Sequence, residues 1–309
     1  MDQQPRCATI IVLPRNIVFR LILLFWSTCP LLAQVAPNSF FTPSDSLNMQ
    51  RRNTVIITET VLGGGALLGL NQLWYADYPK SNFHFINDNA EWLQMDKIGH
   101  MYSSYHLGRF GAEALHWSGV SKKNQLLYGA TLGFVFLSAV EIMDGFSAEW
   151  GASTGDILAN AVGTGLYVSQ ELLWNEQRII PKFSFHTTSF AAQNPNKLGN
   201  SFSEQLLKDY NGQTYWLSGN ISSFFPNAPL PKWLNLAVGY GAEGMTQGLN
   251  PNDQRERQFY LSFDINFQKI RTNNSILKTI FSLINTLKVP APTLSFGSNS
   301  GVKAHVFYF

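Results

Sequence analysis

The hydrophobic period of this chain changes at Pro181, and that change limits its fold more than any other feature. Before it, apolar residues recur at helical spacing; after it, they alternate with polar ones in short runs separated by Asn, Pro and Gly. Upstream, "TVIITETVLGGGALLGLNQLWYA" (54–76), "NDNAEWLQMDKIGHMYSSYHLGRFGAEALHWSG" (87–119), "KNQLLYGATLGFVFLSAVEIMDG" (123–145) and "STGDILANAVGTGLYVSQELLWNEQ" (153–177) predict helices. The first has a flexible centre at Gly63–Gly65, and Gly145 stops the third. Downstream, "KFSFHTTSFA", "YWLSGNISSF", "WLNLAVGYGAEG", "RQFYLSFDINFQ" and "VKAHVFYF" predict strands, interrupted by one helix over 274–288. The expectation is an α+β chain: a bundle of apolar helices over 54–180, then a C-terminal antiparallel β-sheet or partial barrel over 181–309.

The strand count, five to seven, falls short of the roughly eight strands of a closed transmembrane barrel. Yet the chain ends on Phe309 in an alternating strand, which resembles the terminal aromatic strand of outer-membrane barrel proteins. In "RQFYLSFDINFQ" the alternation puts Phe259, Leu261, Phe263, Ile265 and Phe267 on one face. Gln258, Tyr260, Ser262, Asp264 and Asn266 fall on the other. Lipid outside a polar interior satisfies this pattern, and so does a helical bundle with solvent outside.

The N-terminus sets the compartment. Arg6, Arg15 and Arg20 precede the apolar run "LILLFWSTCPLLA", which predicts a secretory signal over 1–33 with cleavage after Ala33, the alternative being an uncleaved anchor. An irregular leader over 34–53 follows. Removal of the signal takes away Cys7 and Cys29, and with them every disulfide, thiolate zinc site or cysteine nucleophile. It also lowers the formal charge from +2 to about zero, and no basic run follows, which excludes nucleic acid as a partner. Charged residues are only 14% of the chain, against about 25% in average soluble domains. Membrane association is therefore expected, although a mean hydropathy of −0.05 is too polar for a chain made mostly of spanning helices.

Ionisable residues nevertheless sit in or beside the most apolar segments. Asp96 and His100 are spaced i, i+4 on one helical face, with Lys97 between them. Such a carboxylate can orient an imidazole or share a metal with it, or simply favour the helix N-terminus. Glu141 and Asp144 end the most apolar helix, where the dipole opposes negative charge. Lys97, Arg109, His100 or a metal could compensate them. "GASTG" (151–155) matches the spacing of a serine nucleophile elbow, but a helix stands where the elbow needs a strand. Ser153 with Asp156 reads as the cap of the next helix, on which Asp156, Asn160 and Gly163 form a polar and small stripe. The expected polar cluster is Asp96, Lys97, His100, Glu141, Asp144, Ser153, Asp156 and Asn160. No cofactor is called for, with a divalent metal as the alternative. No zincin, Walker or dinucleotide-binding motif is present.

"MDKIGHMYSSYHLGRFGAEAL", "EIMDGFSAEWGASTGDILANAVG" and "KDYNGQTYWLSGNI" resemble a family of predicted periplasmic lipoproteins, the YfiM-like domain of unknown function 2279, over roughly residues 55–245. The resemblance implies a cell-envelope location on the periplasmic side and no established activity. Cys29, preceded by Trp26-Ser27-Thr28 and followed by Pro30, departs from a lipobox. The D-K-x-x-H opening is also similar to the start of VanZ-like membrane proteins. The sequence thus reads as a membrane-associated envelope protein, outer-membrane-associated, with a structural or interaction role and a buried polar network. The alternative is a membrane-proximal hydrolase of a lipid or cell-wall precursor, with His100, Glu141, Asp144 and Asp156 as catalytic candidates.

Overall fold

The computed structural model describes residues 40–76 and 78–309. The expected signal segment, its cleavage point, both cysteines and residues 34–39 of the leader lie outside them. The first long helix, α1 (Met49–Leu70), starts at Met49 rather than Thr54 because the Asn48 side chain caps it, accepting from the Arg51 N–H. The run Gly63–Gly65 continues as helix, and Val55 is the only side chain of α1 that is buried. A single π turn, Asn71–Tyr75, extends it.

Three helices form the bundle: α2 (Met95–Trp117), α3 (Leu132–Gly145) and α4 (Thr154–Trp174). A short parallel pair, Phe85–Ile86 with Ala152–Ser153, ties the segment before α2 to the segment before α4. Helix α2 starts later than its periodicity suggests, because Trp92, Leu93 and Gln94 all adopt left-handed backbone (φ 46°, 52° and 65°). Both α3 and α4 lie very close to α2. A Cβ on Gly133 would stand 2.1 Å from the Ser104 carbonyl oxygen, and one on Gly163 would stand 2.1 Å from that of Met101. Only glycine allows these approaches, the small-residue packing common in membrane bundles.

Helix α4 is amphipathic in the inverted sense. Asp156, Asn160, Gly163, Tyr167 and Gln170 are buried, whereas Leu158, Val162, Leu172 and Leu173 are exposed. The polar stripe seen over 156–163 thus runs on for two further turns, facing α2.

The C-terminal half is one six-stranded antiparallel sheet in chain order: β1 (Ile179–Phe185), β2 (Gln213–Asn220), β3 (Leu234–Glu243), β4 (Glu256–Ile265), β5 (Ala291–Gly297) and β6 (Gly301–Tyr308). It does not close into a barrel. Strand β5 escapes the alternation pattern because Pro290 and Pro292 flank and interrupt it. A short helix, α5 (Phe202–Lys208), lies between β1 and β2. The helix expected at 274–288 is α6 (Ser275–Ile284), capped by Asn274.

The sheet is strongly curled. Lys182 on β1 and Asp264 on β4 meet at 2.7 Å, fully buried. Three strand spacings in a flat sheet come to about 14 Å, so the concave side must fold over to bring them together. That side is lined with polar groups: Ser218 donates to Asp264 at 2.6 Å, Asn235 donates to Ser218 at 2.8 Å, and the Tyr308 hydroxyl meets that of Tyr260 at 2.8 Å. The convex side carries Val238, Phe259 and Phe263, each just over half exposed. In β4 the polar residues of the alternation are therefore inside and the phenylalanines outside.

The first strands pack on α2. The Tyr102 hydroxyl donates to the Thr286 carbonyl, the His106 ring bonds the Pro181 carbonyl, and the Tyr102 ring lies against Phe183 and Tyr215.

Candidate functional site

Where α3 and α4 converge on the start of α2, the chain buries an acid-rich cluster. Lys97 is its hub. The ammonium lies 2.6 Å from Asp88, 2.9 Å from Asp96 and 3.2 Å from Asp156, with the Ser153 hydroxyl at 3.4 Å. Burial opposes its charge, but the carboxylates, Asp96 foremost, outweigh that and hold the Lys97 pKa well above its ordinary value. Burial also drives the Asp96 carboxyl up to about 6 against the pull of Lys97, with Asp156 and Asp88 adding repulsion. Partial burial raises the Asp88 carboxyl too, yet its bonds to Lys97 and Ser153 win and its pKa lies below the ordinary value.

Ser153 joins the two halves of the cluster. Its hydroxyl accepts from the Asp156 N–H at 3.1 Å, the cap that starts α4, and donates to Asp88 at 2.7 Å. Its backbone N–H donates to Glu141 Oε2 at 2.8 Å. Bonded at once to Asp88, Asp156 and Glu141, the serine of the nucleophile-like "GASTG" is a structural pivot between the loop before α2, the end of α3 and the start of α4.

His100 completes the arrangement. Its Nε2 is 3.7 Å from Glu141 Oε1, and its Nδ1 is 3.1 Å from the Asn160 side-chain oxygen. Asp96 turns to Lys97 rather than to the imidazole one helical turn on, so the i, i+4 spacing does not produce a carboxylate–histidine pair. Asp144 also faces elsewhere, accepting from the Tyr75 hydroxyl at 2.7 Å. Arg109 is itself buried and bonds Glu113 and Ser282 rather than these acids.

The cluster therefore unites Asp96, Lys97, His100, Glu141, Ser153, Asp156 and Asn160 by direct contacts, with Asp144 at its margin. Asp88 and Tyr75 join it without a signal in the sequence. Both come from irregular or π-helical segments, where no period marks a face. Of its members Glu141, Asp156 and Asn160 are almost wholly buried, while the His100 side chain keeps 22% of its surface accessible. Three of the cluster's buried polar atoms have no hydrogen-bond partner: Asp96 Oδ1, Asp156 Oδ1 and Asn160 Nδ2.

Fold and site together define an α+β protein with polar interiors and apolar outer surfaces, built around an acid-rich centre between three closely packed helices. Residues 84–171 match the model of a family described as predicted periplasmic lipoprotein, domain of unknown function 2279, the family that these residues resemble. The match is narrower than the 55–245 expected. It takes in α2, α3 and most of α4 and leaves the sheet, including "KDYNGQTYWLSGNI", outside. No curated protein and no solved structure matches the chain.

Proposed function

We propose that the chain is an exported cell-envelope protein embedded in a membrane on the periplasmic side, the outer membrane being the one its β half suits. Its role is structural or interactive, with the buried polar networks holding its fold together. The single observation that carries this is the inverted distribution of polarity. A water-soluble sheet buries its apolar face and wets its polar one, whereas β4 buries Ser262 and Asp264 and exposes Phe259 and Phe263. Polar interiors behind apolar exteriors suit a hydrocarbon surrounding, as in membrane barrels. The helices repeat the pattern: α1 exposes Ile57, Val61, Leu62 and Leu68, and α6 exposes Ile276, Ile280 and Leu283. Two helical stretches, Met49–Leu70 and Lys122–Gly145, are long and apolar enough to cross a bilayer. The family's description supports an envelope location.

Washing native membranes with carbonate and then urea tests the proposal, and density-gradient fractionation identifies the membrane. The protein should stay in the pellet through both washes and sediment with outer-membrane markers. Release by carbonate would overturn the embedding, and sedimentation with inner-membrane markers would overturn the choice of membrane.

A further inference from the structure

The geometry points to a site for one first-row divalent cation of the zinc class, held by His100, Glu141 and Asp156. These residues come from three helices, α2, α3 and α4, and each brings one ligand atom to within 4.8 Å of the other two. Two donors on one zinc-class ion at about 2.1 Å lie about 3.4 Å apart in a tetrahedron. His100 Nε2 and Glu141 Oε1 are already at 3.7 Å.

Each ligand is held by its other atom. Asn160 accepts from His100 Nδ1, which fixes the tautomer that leaves the Nε2 lone pair free. The Ser153 N–H takes Glu141 Oε2 and leaves Oε1. Lys97 takes Asp156 Oδ2 and leaves Oδ1. That remaining oxygen is the second, independent observation: Asp156 is only 5% exposed, and its Oδ1 is buried with no partner. A buried polar oxygen without a hydrogen-bond partner is costly unless a ligand meets it.

Charge leads the same way. Asp88, Asp96, Glu141, Asp144 and Asp156 are gathered around a single ammonium, that of Lys97. A divalent ion offsets half of that excess. One imidazole and two carboxylates suit zinc, manganese or iron better than magnesium or calcium, which favour all-oxygen sites. The partly accessible His100 leaves a side from which an ion can enter.

The test uses the untagged full chain in detergent, stripped with EDTA and titrated with ZnCl2 or MnCl2 alone by calorimetry, with metal content read by elemental analysis. The expected result is one equivalent per chain. His100→Ala and Asp156→Asn should each weaken binding at least tenfold, and Asn160→Ala, which touches only the supporting shell, roughly tenfold. Asp96→Asn should still bind. Because a ligand variant could fail to fold, Co2+ loaded into the wild-type protein gives a second measurement. Its visible spectrum and X-ray absorption should report one imidazole with oxygen ligands. Failure of the folded wild-type protein to bind one equivalent would overturn the site, as would a coordination shell without nitrogen or undiminished binding in both ligand variants.

Discussion

At the scale of single residues, Lys97 and Asp96 make opposite contributions. Lys97 is the ammonium that three carboxylates share, so Lys97→Met leaves them mutually repelling in a buried place. Such a loss should cost about 3–5 kcal/mol, read by chemical denaturation in detergent; a change below about 1 kcal/mol would mean that water already compensates these acids. Asp96 has a folded pKa of about 6, raised above its ordinary 3.8 by burial. A carboxyl raised on folding contributes stability that is full below its unfolded pKa and is lost as pH rises through the folded value. In EDTA-treated protein, Asp96→Asn should therefore flatten the fall in melting temperature between about pH 4 and about pH 6 and leave the protein more stable at neutrality. Identical pH slopes in the two proteins would refute this. The candidate acids on helices were legible in the sequence because periodicity assigns each a face. Asp88 was not, since its place beside Lys97 is set by the path of an irregular segment. The direction of His100 was not either: two partners from other helices compete with Asp96, and spacing along one helix says nothing about them.

Among elements, the decisive contact is the close approach of α3 and α4 to α2. Gly133→Val or Gly163→Val would force each helix away from a carbonyl that stands 2.1 Å from the position of the new Cβ. Either change should destabilise the protein by about 3 kcal/mol or more through overpacking, whereas Gly65→Ala, with nothing within 4 Å, should be neutral or slightly stabilising. Thermal melts of the three variants check the contrast. The stripe Asp156, Asn160 and Gly163 points in the sequence to close helix packing or a polar pocket rather than to surface, and it lies at both. The start of α2 was hidden, because its apolar pattern continues through Trp92 and Leu93 although the backbone there is left-handed.

For the whole molecule, the alternation in β4 was legible down to individual residues, but not which face would be buried. That depends on the curl, and the curl depends on Lys182 and Asp264 meeting from strands that are not neighbours. An outward Arg separates the two surroundings. Phe263→Arg should destabilise the protein in lipid vesicles by about 2–4 kcal/mol if Phe263 lies near the bilayer midplane, while an aqueous surface would tolerate it. Unfolding titrations in vesicles measure the difference, and an unchanged midpoint would count against embedding.

The left-handed turn Trp92–Gln94 ties the acid cluster to events far away in the chain. The Leu93 carbonyl accepts from the Tyr240 hydroxyl and from Arg257, both in the sheet, and the Trp92 N–H donates to the Gly248 carbonyl. Three successive residues in this conformation cost roughly 1–2 kcal/mol each, so the turn has little reason to form before β3 and β4 exist. The cluster, whose Asp96 and Lys97 follow two residues later, is thus completed only after a segment some 150 residues downstream has joined the fold. Chains truncated before Tyr240 and refolded in detergent should contain α2 to α4 yet expose Asp96 and Lys97 to chemical labelling, and protection should arrive with Arg257.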